Sequence, residues 1–334
     1  MHRRIRPSDP TWQFAVDALL ELSIVGSFSR LGPAVRRRLG GWTNPPAESL
    51  AGRTVLITGP TSGLGRVTAF ALGDLGARVV LVGRNPDKLR AVAAELRTRT
   101  GEDRYPTVVA DLGSLASVRA AVAGILETED RLDVLVDNAG AIFPERIVGP
   151  DGMEATFGLM VGGPFALTAG LLPLLRASHG RVIAVTSGGM YTQPLDLDDL
   201  QSVRGEWSGA KAYARAKRAQ TALIREWARR FAGTGVTFNA MHPGWADTPG
   251  LADSLPAFHR YMGPLLRSAE DGADTIVWLA AHPAATGWTG RLFLDRRPRP
   301  FDRAPLTRLS AGDRRELWDA LVELTGIADP TPAG

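Results

Sequence analysis

Tyr213 and Lys217 stand four residues apart in a stretch, Gly209 to Phe231, whose patterning is helical, so both side chains project from one face. A lysine ammonium beside a phenol stabilises the phenolate and lowers its pKa from about 10 toward the working range, making the tyrosine a usable proton donor and acceptor. Ser187, just after the apolar run Val182 to Thr186, can hydrogen-bond the same substrate oxygen. Taken alone, a Tyr and a Lys at this spacing are usually a surface pair. Lysine is scarce here, however: Lys88, Lys211 and Lys217 are the only three among 39 Lys and Arg residues.

A second motif gives the pair something to act on. Thr58 to Gly65 (TGPTSGLG) joins an apolar strand, Thr54 to Thr58, to an amphipathic helix starting near Gly63. A turn so placed aims backbone N–H groups and the positive end of a helix at one point, the geometry that binds a pyrophosphate. Gly59 permits the tight exit from the strand. Gly63 and Gly65 let backbone approach phosphate and let helix pack on sheet, while Thr61, Ser62 and Leu64 fill the rest of the loop. A glycine triplet alone is as readily an ordinary turn, so context decides.

The context is a series of strand ends. The second strand, Val79 to Val82, is followed by Gly83 and Arg84, where a carboxylate would bind the ribose hydroxyls of NAD and an arginine accommodates the 2′-phosphate of NADP. The guanidinium fork matches phosphate, so NADP(H) is expected in preference to NAD(H). Asp111 and Leu112 end the third strand, where a carboxylate can accept from an adenine amine. Asp137, Asn138, Ala139 and Gly140 end the fourth, a small-residue turn that lets backbone approach ribose and nicotinamide. In series, these line the crevice where open parallel sheets bind ligands.

Seven short apolar runs are needed to carry these ends: Val55–Thr58, Val79–Val82, Thr107–Ala110, Val134–Val136, Val182–Thr186, Val236–Met241 and Gly290–Leu294. Helical patterns alternate with them, near Gly65–Leu75, Pro86–Arg99, Leu115–Leu126, Thr156–Arg176, Gly209–Phe231 and Ala269–Ala281. Alternation of this kind predicts an α/β Rossmann fold, a single doubly wound seven-stranded parallel sheet with helices on both faces. The expected organisation is an N-terminal helical extension and linker over residues 1–50, the dinucleotide-binding domain over 51–295, and a C-terminal extension with a helix over 296–334.

In the N-terminal extension, Trp12 to Phe28 is apolar but interrupted by Asp17 and Glu21, too short and too charged to span a bilayer. Phe14, Ala18, Leu19, Leu22 and Val25 follow helical spacing, flanked by basic segments at His2 to Arg6 and Arg36 to Arg38. The pattern suits a helix packed on the main domain or one lying on an anionic membrane through residues 12–28. The proline-rich stretch Asn44 to Ser49 links it to the core.

Composition closes off other chemistry. The chain has no cysteine, which excludes disulfides, thiolate metal sites and thiol catalysis and fits a reducing, cytoplasmic setting. Net charge is +4, but the arginines alternate with Asp and Glu along helices and are not gathered with aromatics, so no nucleic-acid surface is expected. His179, His242, His259 and His282 have no metal-ligand spacing with carboxylates, and no metal is assigned.

Together, TGPTSGLG at 58–65, DNAG at 137–140, Ser187, YARAK at 213–217 and HPGWADT at 242–248 resemble the short-chain dehydrogenase/reductase family over roughly residues 51–295. A narrower likeness, carried by VTSGGM at 185–190, HPGWADTPG at 242–250, GADT at 272–275 and GRLFLDRRP at 290–298, is to the branch called dehydrogenase/reductase member 12. The resemblance implies that Tyr213 is the general acid/base, that Lys217 lowers its pKa and holds the nicotinamide ribose, and that Ser187 positions the carbonyl. It further implies that Asn138, Pro243, Gly244 and Thr248 contact cofactor, Thr248 near the carboxamide. In the resembling family the two long helices, Thr156–Arg176 and Gly209–Phe231, form the usual face of a homodimer or homotetramer, which terminal segments could cover here.

Two positions depart from the pattern. Asp137 stands where the family has the first Asn of Asn-Asn-Ala-Gly, and Met160 stands where it has a proton-relay asparagine; a thioether cannot hold the relay water as an amide carbonyl does. The expected reaction is hydride transfer between nicotinamide and the carbonyl or alcohol of a small molecule. Met190, Tyr191, Trp207, Trp245, Leu251, Leu255 and Phe258 fall in segments expected around the pocket mouth and favour a bulky apolar substrate, though each is as readily core packing. Arg296, Arg297 and Arg299 would either meet an acidic substrate tail or form a solvated loop. The competing reading is a catalytically weakened NADP(H)-binding regulator. A sugar-nucleotide epimerase is set aside because Ser62 occupies the place of that type's middle glycine.

Overall fold

The computed structural model describes residues 11–254 and 256–332; His2 to Arg6, Leu255, and the side chains of Trp12 and Phe14 lie outside the described set. Seven parallel strands form where the apolar, β-branched runs are: β1 (Thr54–Thr58), β2 (Arg78–Gly83), β3 (Thr107–Val109), β4 (Val134–Asp137), β5 (Arg181–Val185), β6 (Thr237–Met241) and β7 (Arg291–Leu294). An eighth, β8 (Arg297–Arg299), pairs antiparallel to β7, and the order across the sheet is β3-β2-β1-β4-β5-β6-β7-β8. The winding direction reverses between β1 and β4, which opens a crevice at their carboxyl ends.

Strand pleating sends alternate residues into two cores. Val55, Ile57, Val79, Leu81, Val134 and Val136 face one side, with α4 (Gly63–Asp74), α5 (Pro86–Thr100) and α12 (Ala269–Ala281). Leu56, Val80, Val82, Leu135, Val182 and Ala184 face the other, with α6 (Leu115–Thr128), α8 (Gly163–Ala177), α9 (Gly209–Arg230) and α13 (Ala311–Thr325). The run Ala155–Ala177, comprising α7 (Ala155–Phe157), a π-helical turn and α8, is long and apolar enough to cross a membrane, but 83% of its most apolar window is buried in this core. In α13, Trp318 lies edge-on to Trp227 at 4.5 Å and to Phe165 at 5.1 Å, so the C-terminal helix covers α8 and α9.

The eighth strand corrects the expected count of seven. Asp295 and Arg296 reverse the chain with φ of +53° and +59°, a two-residue hairpin turn usually written with Asn or Gly. Asp295 suits the first position, but Arg296 carries no turn signal at the second. The conformation is held from outside: Arg267 and Arg36 both pair with the buried Asp295 carboxylate, at 2.6 and 2.5 Å, and Arg296 forks onto Asp274 at 2.5 and 2.8 Å.

The N-terminal extension folds as α1 (Thr11–Leu22), α2 (Ile24–Phe28) and α3 (Leu31–Gly40), docked on the β7–β8 hairpin. The face that docks is not the apolar one. Arg36, buried, joins Asp17 at 2.7 Å, Glu21 at 2.9 Å and Asp295, while Leu19, Leu22 and Val25 point to solvent. Arg299 donates to both oxygens of Asp17 at 2.8 and 2.9 Å and Arg297 approaches it at 3.4 Å. The hairpin arginines are therefore neither a solvated loop nor a receptor for a substrate tail. Arg297 and Arg299 neutralise the acids that interrupt the first helix, and Arg296 pairs with Asp274.

Candidate active site

The glycine turn has the shape its sequence requires. Gly59 and Gly63 adopt φ of +67° and +50°, and a Cβ on Gly65 would fall 2.1 Å from the Gly59 carbonyl oxygen. Ser62 caps α4 in extended conformation without a side-chain hydrogen bond, which leaves the first N–H groups of a three-turn helix aimed at the crevice. Asn138 fixes the turn from β4: its Nδ2 donates to the Thr58 oxygen at 2.8 Å and the Gly59 oxygen at 3.2 Å. The Thr58 hydroxyl accepts from the backbone N–H groups of Asn138 and Ala139, both at 3.0 Å. This cradle fits a pyrophosphate, since only hydrogen-sized side chains clear it and its donors are backbone groups.

The other cofactor candidates follow the ends of β2, β3 and β6 in the chain. Arg84 leaves β2 exposed and, among the described residues, without an ion pair; Asn85 beyond it caps α5, accepting from Lys88 N–H at 3.0 Å. Asp111 turns back to accept from Gly113 N–H at 3.0 Å, and Leu112 is buried against Gly163. Thr248 abuts Gly63 and caps the following helix, α10 (Pro249–Ser254), by accepting from Leu251 N–H at 3.3 Å. The segment Pro243–Trp245 is tied to the N-terminal extension: Trp245 N–H donates to the Phe28 carbonyl at 2.8 Å, and Gly244, at φ of +70°, leaves no room for a Cβ beside Arg267.

Ser187, Tyr213 and Lys217 come together. The Ser187 hydroxyl caps the short turn Gly188–Tyr191, accepting from Gly189 N–H at 3.2 Å, and lies close enough to the Tyr213 phenol to favour its ionised form. The Lys217 ammonium lies 5.6 Å from the Tyr213 ring centroid and donates to the Val185 carbonyl at 2.8 Å. The expected depression of the Tyr213 pKa is not what the surroundings produce. Burial raises it and the Ser187 hydrogen bond pulls it only partly back, while Lys217 is itself drawn down to about 7 by burial against the opposing charge of Asp137. Burial likewise pushes the Asp137 carboxyl up to about 7, with the Thr168 hydrogen bond and the Lys217 charge opposing.

Met160 occupies the π-helical turn Gly158–Gly162, fully buried, where it widens the path between α7 and α8. Its sulfur would lie 3.0 Å from a Cβ on Gly140, and Lys217 Nζ 3.5 Å from the same point. Residue 160 thus lies on the same side of Gly140 as Lys217, with a side chain that offers no amide.

The mouth residues divide. Met190 is core, Tyr191 spends its hydroxyl on the Pro300 carbonyl at 2.8 Å, and Trp207 donates to the Phe143 carbonyl at 3.3 Å. Trp245 lies edge-on between Phe28, 6.0 Å away, and Phe258 of α11 (Pro256–Met262), 5.4 Å away, with Leu251 half-buried near by. The sequence did not point to Phe28, whose ring closes on Gly188 beside Ser187 and on the buried His242 at 4.8 Å. An aromatic at the end of an amphipathic segment carries no sign of a partner 160 residues away.

Residues 53–196 match the family model described as short chain dehydrogenase. Dehydrogenase/reductase SDR family member 12 from Bos taurus is 40% identical over 275 residues, spanning 82% of this chain and 85% of that protein. Retinol dehydrogenase 14 from Mus musculus is 36% identical over 315 residues, 89% of this chain and 92% of its own. Among solved structures, the Pseudomonas aeruginosa RhlG/NADP active-site complex superposes with a TM-score of 0.61 at 29% identity, covering 74% of this chain and 96% of that one.

Proposed function

The chain belongs to the short-chain dehydrogenase/reductase family and is an oxidoreductase of that type, and from this premise we propose that it is an NADP(H)-dependent reductase or dehydrogenase acting on a bulky apolar carbonyl or alcohol. The observation that carries the reading is the convergence of Ser187, Tyr213 and Lys217 beside the glycine cradle at the carboxyl edge of the sheet. Bound in the crevice between β1 and β4, the nicotinamide would supply or accept the hydride. Tyr213 then protonates the carbonyl oxygen or takes the alcohol proton, and Ser187 donates a second hydrogen bond to the developing oxyanion. Lys217 supplies positive charge near the phenol, most effectively while protonated.

In this reading residues 51–295 are the catalytic domain. Gly59, Thr61, Ser62, Gly63, Leu64 and Gly65 hold the pyrophosphate, Arg84 the 2′-phosphate, Asp111 and Leu112 the adenine side, and Asn138, Ala139, Gly140, Pro243, Gly244 and Thr248 the nicotinamide side. The retinol named for one relative and the NADP named for one structural neighbour support an apolar substrate and a phosphorylated cofactor. The protein would work in the cytoplasm, touching a membrane through the outward side chains of α1 and α2. Tyr213→Phe is expected to lower kcat about 1,000-fold on the best substrate of an apolar carbonyl panel while NADPH affinity stays unchanged. Retained turnover would remove Tyr213 from the chemistry.

A second reading, a weakened NADP(H)-binding protein with a regulatory role, draws on Met160, whose buried thioether adjoins Lys217 without an amide to hold water. Tight NADPH binding with no oxidation across the same panel favours it.

A further inference from the structure

Phe28, the last residue of α2, is 4% exposed, and its ring fills the space that a side chain at residue 188 would take: a Cβ on Gly188 would fall 2.5 Å from the ring edge. Gly188 opens the short turn Gly188–Tyr191 that Ser187 caps. Three hydrogen bonds define this turn. Gly189 N–H donates to the Ser187 hydroxyl at 3.2 Å, Met190 N–H to the Ser187 carbonyl at 3.1 Å, and Thr192 N–H to the Gly189 carbonyl at 2.9 Å. The ring pressed on the turn is itself confined. His242, fully buried, and Trp245 meet it edge-on at 4.8 and 6.0 Å. The Arg303 guanidinium lies 5.2 Å from the Phe28 ring and 4.8 Å from that of Tyr191, which ends the same turn.

The backbone around Phe28 is tied down as well. Its carbonyl accepts from Trp245 N–H and from Arg267 Nε, both at 2.8 Å, and Arg30 N–H donates to the Leu265 carbonyl at 3.0 Å. Trp245 and Leu265 stand on the two stems of the segment that carries α10 and α11, helices that bury none of their residues. The extension therefore grips the loop after β6 and, through one ring, the turn after β5. Ser187 lies two residues past the end of β5, so the place of its hydroxyl is set by what packs on the turn.

We propose that Phe28 is a positioning residue for Ser187: the N-terminal extension supplies the ring that fixes the Gly188–Tyr191 turn and so completes the substrate side of the site. The role in turnover rests on the reading of Ser187 and Tyr213 above; the packing of ring on turn does not. A hydroxyl that must meet a developing oxyanion loses most of its effect when displaced by about 1 Å.

In the full chain, Phe28→Ala is expected to lower kcat on apolar carbonyls about 30-fold with the Kd for NADPH unchanged. Because the ring acts through Ser187, the same substitution made on Ser187→Ala should cost less than about threefold more. Equal losses in the two backgrounds would show a general weakening of the fold and overturn the proposal. Gly188→Ala presses on the ring from the other side, should lower kcat in the same way, and provides the measurement should Phe28→Ala not fold. Hydrogen exchange reads the packing without substrate: the amides of Gly189, Met190 and Thr192 should exchange at least about tenfold faster in either variant, while those of β5 hold. Unchanged exchange in the turn overturns the proposal even where Tyr213→Phe abolishes turnover. If Ser187→Ala and Tyr213→Phe both leave kcat unaltered, the functional reading fails; loss in those two with none in Phe28→Ala or Gly188→Ala refutes Phe28 alone.

Discussion

Arg84 stands exposed at the end of β2 without an ion pair among the described residues, which keeps its planar fork available to an anion. The neighbouring Arg66, by contrast, is engaged with Glu95. A charge-assisted bidentate contact to a 2′-phosphate is worth about 1.5–3 kcal/mol, roughly 10- to 150-fold in affinity. Arg84→Asp is therefore expected to raise KM for NADPH by about 100-fold, lower that for NADH, and leave kcat nearly unchanged. Steady-state kinetics with both cofactors decide it: an unaltered NADPH-to-NADH ratio removes Arg84 from cofactor selection. Residue spacing reveals some of this site and hides the rest. The four-residue interval of Tyr213 and Lys217 is enough, by itself, to put both on one helical face. Burial raises the Tyr213 phenol with Ser187 opposing, and burial lowers the Lys217 ammonium with Asp137, eighty residues earlier, opposing; Asp137 reads in the sequence only as a modest departure from an Asn.

At the scale of elements, the N-terminal helices are held by charge. Arg36 and Arg299 converge on Asp17; burial raises the carboxyl, but the hydrogen bonds and charges of these two arginines outweigh it and hold the acid well below the usual carboxylate range. A folded-state pKa below the unfolded one stabilises above the unfolded value, about 3.9, and the contribution is lost as pH falls through the folded value. Docking of α1–α3 should therefore weaken below about pH 4, with amide hydrogen exchange of residues 15–38 accelerating before that of β1 and β4. Arg36→Met removes the guanidinium that joins Asp17, Glu21 and Asp295, leaving Asp295 to Arg267 alone, and should cost about 2–3 kcal/mol, seen as the same local acceleration at neutral pH. Equal protection across sheet and extension would show that the helices do not open separately. The strands and crossover helices were legible because period and turn chemistry are local. The dock was not: the apolar periodicity of Leu19, Leu22 and Val25 suited either a packed face or a membrane face, and of the arginines that draw Asp17 inward, Arg299 lies nearly three hundred residues later.

Over the whole molecule, the two extensions treat apolar surface in opposite ways. The C-terminal helix buries Leu317, Trp318 and Leu321 over α8 and α9. The N-terminal helices leave Leu19 67%, Leu22 83%, Ile24 55% and Leu31 49% exposed, next to the exposed cations Arg30 and Arg38. Single exposed leucines need no explanation, but several on one short helical unit beside basic residues are the arrangement an interfacial helix would use. The docked polar face makes this persist in the folded state, since Asp17 and Glu21, which would oppose insertion, are turned toward the hairpin and neutralised there. Burying the outward side chains in the headgroup region at about 25 cal/mol per Å², with about 1 kcal/mol for each arginine near an anionic surface, gives reversible rather than permanent attachment. The full chain is thus expected to co-sediment with vesicles of one-third phosphatidylserine at low salt and to be released as ionic strength rises. Leu19→Ser, Leu22→Ser and Ile24→Ser combined should weaken that association about 30-fold or more without altering NADPH affinity, because none of the three reaches the crevice. Equal sedimentation of the triple variant and the parent would dismiss this face as the membrane contact, and no sedimentation of either would confine the protein to solution.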